Sequence, residues 1–329
     1  MPKVLIGSGP IRNAPGPFRD LLVASGFTPV DWPGSLPISG DEYRRLLPDI
    51  DAVIAGGEPL TGEMMAIAPK LRAIARTGVG YDAVDLKAAS ARQIAVCITP
   101  GTNQESVAEH AFGLLLGLTR KIAENDRVIR AGGWDRSLVQ PLRGKTIGLV
   151  GLGRIGQAIV PRAVAFGMKV LAYEPAPSPE FDAKWGIERT TMPRLLAESN
   201  VVSLHLPLMP STRGLFHREV FAMMKPGAIL LNTARGGLVV EDDLYDALVS
   251  GHLGGAGLDV FDPEPPSPAN PLLQLPNVIS SPHLGGIDAK AMEDMATLAA
   301  QCVIDLHQGR WPGECVVNPE IRDGWRWSS

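Results

Sequence analysis

The stretch TIGLVGLGRIGQA, residues 146–158, decides the fold. Thr146–Val150 is an apolar run of strand length, and Gly151, Gly153 and Gly156 follow it at once. Beyond them the pattern turns helical. A strand that enters a helix through G-x-G-x-x-G has a physical reading: Gly151 permits the tight turn, Gly153 lets the backbone approach a pyrophosphate, and Gly156 lets helix and strand pack closely. Arg154 and Ile155 fill the loop between them. Free amides and the positive end of the helix dipole favour an anion there. The next strand, Lys169–Tyr173, ends at Glu174, eighteen residues past Gly156. An acidic residue at that distance accepts from the ribose hydroxyls of NAD. It would also repel the 2′-phosphate of NADP, and residues 175–178 offer no arginine to receive one. The cofactor expected is NAD.

Working outward, short apolar runs alternate with amphipathic ones through most of the chain, the pattern of parallel α/β sheets. Downstream of residue 145 the expected strands are Thr146–Val150, Lys169–Tyr173, Val201–Leu206, Ala228–Asn232, Ala256–Val260 and Val278–Ser281. The first hundred residues give strands at Lys3–Ile6, Ala52–Ala55, Leu71–Ala75 and Ile94–Ile98, with a helix at Asp41–Leu47. Thr102-Asn-Gln-Glu105 has the spacing of a capping box. The helical pattern after it runs to about Arg130 and suits a bridge between domains or a dimer surface. A second long helix, Asp288–Gln308, would return the chain to the first domain. The expected fold is therefore two Rossmann/flavodoxin-like α/β domains, each a doubly wound parallel sheet, with an active-site cleft between them. One domain is discontinuous, 1–99 plus 287–329, and binds substrate. The other, 100–286, binds NAD.

The totals agree. A chain of 329 residues with 45% hydrophobic and 20% charged residues is long enough for two cores and has a globular composition. The net charge of −4, without a basic cluster, argues against a nucleic-acid surface. The N-terminus MPKVLIGSGPIRN lacks the long apolar core of a secretory signal or a membrane span. Cys97, Cys302 and Cys315 are widely spaced and odd in number, and no Cys/His spacing suggests a metal. These features read as a cytoplasmic protein with buried thiols, no membrane association and no bound metal.

Three polar residues stand just past the carboxyl ends of strands in the nucleotide-binding sheet, the edge where open parallel sheets bind ligands. Arg235 follows Ala228–Asn232, Glu264 follows Ala256–Val260, and His283 follows Val278–Ser281. Each has a bland reading alone, as a salt-bridge partner, a solvated loop residue or a turn histidine. Together they make a chemistry. An arginine grips a carboxylate and polarises an adjacent carbonyl. A histidine gives or takes the proton, and a carboxylate beside it stabilises the imidazolium. With NAD on the same sheet, the set reads as hydride transfer between a nicotinamide and a 2-oxo or 2-hydroxy acid.

In TGVGYDAVD (77–85), VGLGRIG (150–156), HLPLMPSTRGLF (205–216), NTARGGLVVEDDL (232–244), GLDVFDPEP (257–265) and SPHLGG (281–286), in that order, the chain resembles the D-isomer-specific 2-hydroxyacid dehydrogenases, the group that includes phosphoglycerate dehydrogenase. The resemblance implies that Arg235 binds the substrate carboxylate and that Glu264 and His283 are the acid/base pair. It implies a substrate cradle at the Val79 and Gly80 amides, with Arg76 beside it. Around the cofactor it implies Arg154 and Ile155 at the pyrophosphate, Pro207 and Thr212 at the adenosine, and Asp259 at the carboxamide. His205, Thr233, Ala234 and Gly285 complete that list, and Arg235 and His283 serve both ligands. A homodimer joined through the NAD-binding domains is implied too. His110, His217, His252 and His307 read as structural, and Trp134 as interface packing.

Rival readings share the fold. Formate dehydrogenases pair the histidine with glutamine, so Glu264 counts against them. Phosphite-type dehydrogenases keep all three residues, and so can an NAD-sensing corepressor-like binding protein, which would bind partner peptides. For substrate, phosphoglycerate-specific relatives often place an arginine after the strand that here continues as Gly56-Gly57-Glu58. A carboxylate there points to an unphosphorylated hydroxy or sugar acid, with Arg76, or Arg136 of a partner subunit, as the remaining anchors for a phosphate.

Overall fold

The computed structural model describes residues 1–32, 40–176 and 178–327. Pro177, in the stretch after Glu174, lies outside the described residues, as do the last two residues of the chain. The chain divides into two compact units, Met1–Asn103 with Gly286–Ser329, and Gln104–Gly285.

The first unit opens with strand β1 (Lys3–Ile6), helix α1 (Pro17–Ala24), β2 (Thr28–Asp31), α2 (Gly40–Leu46), β3 (Ala52–Ala55), α3 (Gly62–Ala66), β4 (Ala73–Arg76), α4 (Leu86–Ala91) and β5 (Ala95–Cys97). Its sheet is parallel throughout, in the order β2-β1-β3-β4-β5. That is the flavodoxin-like order. Both faces are covered, and the strand period of two sorts each residue to a side. Val4 and Ile6 of β1 enter one core, whereas Leu5 enters the other with Trp32, Tyr43 and Leu47.

The second unit begins with α5 (Gln104–Thr119) and α6 (Ile122–Arg130). It continues through β6 (Thr146–Val150), α7 (Arg154–Ala165), β7 (Lys169–Tyr173), α8 (Pro179–Trp185), β8 (Glu188–Arg189), α9 (Met192–Glu198) and β9 (Val201–Leu204). It closes with α10 (Arg218–Met223), β10 (Ala228–Asn232), α11 (Glu241–Val249), β11 (Leu253–Leu258) and β12 (Val278–Ser280). The seven parallel strands lie in the order β8-β7-β6-β9-β10-β11-β12. Counted within the unit this is 3-2-1-4-5-6-7, the Rossmann order with one added strand, and the order reverses between β6 and β9. α12 (Ala289–His307) then belongs to the first unit. Its N-cap Asp288 accepts from the Ala291 amide at 2.7 Å, and its apolar stripe from Ala291 to Leu306 is buried in the core that holds Val4 and Ile6.

Two expectations near residue 104 need correction. The single helix expected to run to Arg130 is two helices, because Lys121 takes a left-handed conformation at φ 51° between α5 and α6. α5 lies in the core, but no residue of α6 is buried, so nothing holds the two on one axis. The capping box does not form either. The Thr102 hydroxyl donates to the Thr99 carbonyl at 2.7 Å, and Glu105 pairs with Arg162 of α7. Among the described residues no helix is long and apolar enough to cross a membrane.

Candidate active site

The glycine loop joins β6 to α7 at the point where the strand order reverses. Gly151 sits at φ 100°, a conformation glycine adopts freely. A Cβ there would stand 2.7 Å from the His205 carbonyl oxygen, so the loop also needs glycine for space against the turn after β9. A Cβ on Gly156 would lie 2.4 Å from the Gly151 oxygen, which is how the first turn of α7 closes on the loop. Gly153, by contrast, is exposed, with open space where its Cβ would stand. The loop is thus packed at its first and third glycines and open at its second, where a pyrophosphate has to approach. Arg154 is exposed and Ile155 half-buried at the start of the helix.

Glu174 follows β7 and is tied to this loop. Its Oε2 accepts from the Leu152 amide and its Oε1 from the Ala176 amide, both at 3.0 Å. A carboxylate has about four acceptor positions, so both oxygens can still accept from ribose hydroxyls. His205 borders the loop from the β9 side, with Nε2 2.9 Å from the Ser203 hydroxyl. Burial pushes its pKa down to about 4, so the ring is neutral near pH 7. Pro207 and Thr212 share the next turn, the Thr212 hydroxyl donating to the Pro207 carbonyl at 2.7 Å. These residues fit a dinucleotide.

At the ends of β10, β11 and β12, buried polar groups build the turns. Asn232, 1% exposed, uses both ends of its amide on one turn. Its Oδ1 accepts from the Ala234 amide at 3.1 Å, and its Nδ2 donates to the Arg235 carbonyl at 2.8 Å. This turn carries Thr233, Ala234 and the half-buried Arg235, whose Nη1 donates to the Ala234 carbonyl at 2.6 Å. After β11, the Phe261 amide donates to Glu264 Oε1 at 3.0 Å. The other oxygen, Oε2, stands 2.8 Å from His283 Nδ1. A carboxylate only accepts, so the histidine carries its proton on Nδ1, and Nε2 is left for chemistry. Asp259, also 1% exposed, accepts from the Leu284 and Gly285 amides and from the Ser281 hydroxyl. Burial pushes this carboxyl up, and hydrogen bonds from His110, Ser281, Gly285 and Leu284 outweigh it and hold it below the usual range.

Three of these supports, Asn232, Ser281 and His110, are absent from the sequence-based site. Asn232 was legible as a polar residue ending an apolar strand; the other two had no local signal. The site residues of this unit stand at the carboxyl edge of its sheet. The unit's large hollow, about 1090 Å³, is at the opposite edge, lined by Gly117, Lys121, Leu138, Lys145, Gly227 and Asn277 among others. None of the expected site residues lines it. The chemistry and this hollow are separate.

The remaining expected residues belong to the first unit. Arg76 ends β4 and is 7% exposed. The loop after it is pinned by Thr77, whose amide donates to the Ala55 carbonyl, and by Gly78, whose amide donates to Thr99 Oγ1 at 2.9 Å. Val79 and Gly80 follow, half-buried. Glu58, 8% exposed, accepts from the Gly56 amide at 2.8 Å, and its Oε1 is buried without a hydrogen-bond partner among the described residues. Burial raises the Glu58 carboxyl, and Arg76 is near enough to oppose that shift electrostatically.

Residues 112–285 match the family model described as D-isomer specific 2-hydroxyacid dehydrogenase, NAD binding domain. D-3-phosphoglycerate dehydrogenase of Mycobacterium leprae is 45% identical over 272 residues, covering 81% of this chain but 51% of that protein, so the chain spans about half the length of that relative. Glyoxylate reductase of Korarchaeum cryptofilum is 39% identical over 297 residues, 88% of this chain and 89% of that one. Among solved structures, the TT0316 protein of Thermus thermophilus superposes with a TM-score of 0.87 at 39% identity, covering 96% of this chain and 99% of the other. The chain belongs to the D-isomer specific 2-hydroxyacid dehydrogenase family, and its second unit carries that family's NAD-binding domain.

Proposed function

We propose that the protein is an NAD-dependent oxidoreductase acting between a short D-2-hydroxy acid and its 2-oxo acid. The observation that carries this is the 2.8 Å pairing of His283 Nδ1 with Glu264, on the same sheet edge as the glycine loop. When bound at the glycine loop, the dinucleotide would supply or accept the hydride at C2. In reduction, His283 Nε2–H gives a proton to the substrate's carbonyl oxygen; in oxidation, Nε2 takes it from the hydroxyl. Glu264 holds the ring by Nδ1 and stabilises the imidazolium. Arg235 grips the substrate carboxylate and polarises the neighbouring carbonyl. Val79 and Gly80 are proposed as further amide donors to that carboxylate. Among the described residues neither amide donates to a protein acceptor, which leaves both for a ligand.

The substrate is proposed to be unphosphorylated. A phosphate site calls for an available guanidinium. Arg76, the candidate on this unit, is 7% exposed and lies near Glu58, so its guanidinium is not presented to solvent. A homodimer joined through the NAD-binding unit completes the proposal.

The test is a panel of 2-oxo acids with NADH and with NADPH. Glyoxylate and hydroxypyruvate are expected to be reduced with NADH, at higher kcat/KM than 3-phosphohydroxypyruvate. His283→Ala should lose roughly 10²–10⁴-fold in turnover, the usual worth of a positioned acid/base, while NADH still binds. No reduction of any 2-oxo acid would defeat the activity. A preference for the phosphorylated acid would defeat only the substrate class, and near-native turnover in the alanine variant only the role of His283.

A further inference from the structure

α5 presents two polar side chains four residues apart, on one face of the helix. Ser106 Oγ donates to the Gly285 carbonyl at 2.8 Å. His110 Nε2 lies 2.7 Å from Ser281 Oγ. Together they grasp the two ends of the segment Ser281–Gly285, and His283 stands in its middle at φ 55°. A left-handed conformation is uncommon for a residue with a side chain and persists where its surroundings enforce it.

The direction of the His110 bond follows from proton counting. Ser281 has one hydroxyl proton and gives it to Asp259 Oδ1 at 2.6 Å. Its contact with His110 must therefore accept, so the ring donates through Nε2–H. The same nitrogen is 3.2 Å from Asp259 Oδ1. Asp259 in turn holds the turn at three places: its carboxylate takes the Leu284 and Gly285 amides, and its carbonyl takes the His283 amide, each at 2.8 Å. A chain of hydrogen bonds thus runs from α5 through Ser281 and Asp259 to the backbone on both sides of His283.

We propose that His110 is a positioning residue for His283: by donating to Ser281 beside Asp259, it holds the Ser281–Gly285 turn in the conformation that aims His283 Nδ1 at Glu264. This rests on the acid/base role proposed for His283. His110 acts through that turn and through Asp259, so it should matter more to the chemical step than to cofactor binding. Misplacing a catalytic group by about 1 Å can cost on the order of 10²-fold in rate.

The test is a set of variants assayed for NADH-dependent reduction of glyoxylate or hydroxypyruvate, with thermal unfolding as the check on folding. His110→Leu is expected to lower kcat by on the order of 10- to 100-fold, a larger change than in NADH affinity or substrate KM. His110→Gln, whose amide N–H can stand in for Nε2–H, should recover most of that loss. In combination with His283→Ala, His110→Leu should cost nothing further, because the group it positions is gone. A folded His110→Leu protein with native kcat overturns the proposal, and so does equal loss in the Leu and Gln variants. If His110→Leu does not fold, Ser281→Ala breaks the same chain, and an unchanged kcat there overturns it equally. Should His283→Ala itself retain native turnover, the acid/base reading fails and takes the positioning role with it. Loss in His283→Ala with native kcat in His110→Leu sinks the positioning role alone.

Discussion

At the scale of single residues, the cofactor side of the site rests on charge. Glu174 already accepts from two backbone amides, so its carboxylate is fixed at the end of β7. Replacing it with alanine removes a ribose acceptor and a charge that repels a 2′-phosphate at the same time. Glu174→Ala should therefore weaken NADH binding and narrow the preference over NADPH; titration of both dinucleotides by fluorescence measures it. Equal use of the two cofactors by the unaltered protein would remove the basis of this reading. His205 makes a second prediction, in pH. Burial pushes its pKa down to about 4, against an ordinary 6.5, so below pH 6.5 the unfolded chain takes up a proton that the folded protein refuses. Stability from this residue is whole above pH 6.5 and is lost as pH falls toward 4. The full shift corresponds to an upper limit of about 3 kcal/mol, at 1.36 kcal/mol per unit. Urea unfolding at pH 7 and pH 4.5 should show a smaller acid-side loss for His205→Gln than for the parent. An equal loss in both proteins would mean that the ring is more solvated than its burial implies.

At the scale of elements, the residues told most where one local pattern had one physical solution. The strands Lys3–Ile6, Ala52–Ala55, Thr146–Val150, Lys169–Tyr173 and Ala228–Asn232 stand where their apolar runs put them, because a strand covered on both faces must be apolar throughout. β11 shows where that logic stops. It was expected at Ala256–Val260 and lies at Leu253–Leu258, since Gly254 and Gly255 bring no apolar side chain to extend the run. Glycine suits this strand because neighbours crowd it: a Cβ on Gly254 would stand 2.6 Å from the Gly227 oxygen, and one on Gly257 3.0 Å from Leu114 Cβ of α5. β2, at the sheet edge, is only half-buried and its TPVD carries no apolar alternation to find. The break at Lys121 is marked by neither glycine nor proline, and it depends on α6 having no core to join. The candidate site divides in the same way. Arg235, Glu264 and His283 could be placed by counting from strand ends. Their supports could not: His110 and Ser281 are 171 residues apart, and only the folded sheet brings them together.

At the scale of the whole molecule, α6 and the segment after it are unexplained by a single chain. The helix has nine residues, too few to persist by its own hydrogen bonds, and it buries none of them. Ile122 is 57% exposed and Ile129 52%; beyond the helix Trp134 is 81% and Leu138 95% exposed. Scattered apolar residues on a surface need no explanation, but a run of them within twenty residues, beside a hollow of about 1090 Å³, is a surface waiting to be covered. A second copy of the chain is the simplest cover, because a two-fold axis lets each segment pack on its twin's matching surface. The protein should then sediment at about twice its 35.0 kDa chain mass at micromolar concentration. Trp134→Ser combined with Leu138→Ser should shift it toward the monomer and lower its thermal midpoint, since the freed α6 would lose the packing that keeps it helical. Both side chains are far out in solvent in the single chain, so their loss should barely disturb a monomer's own fold. A parent protein that sediments as a monomer at that concentration would show that this surface has some other partner.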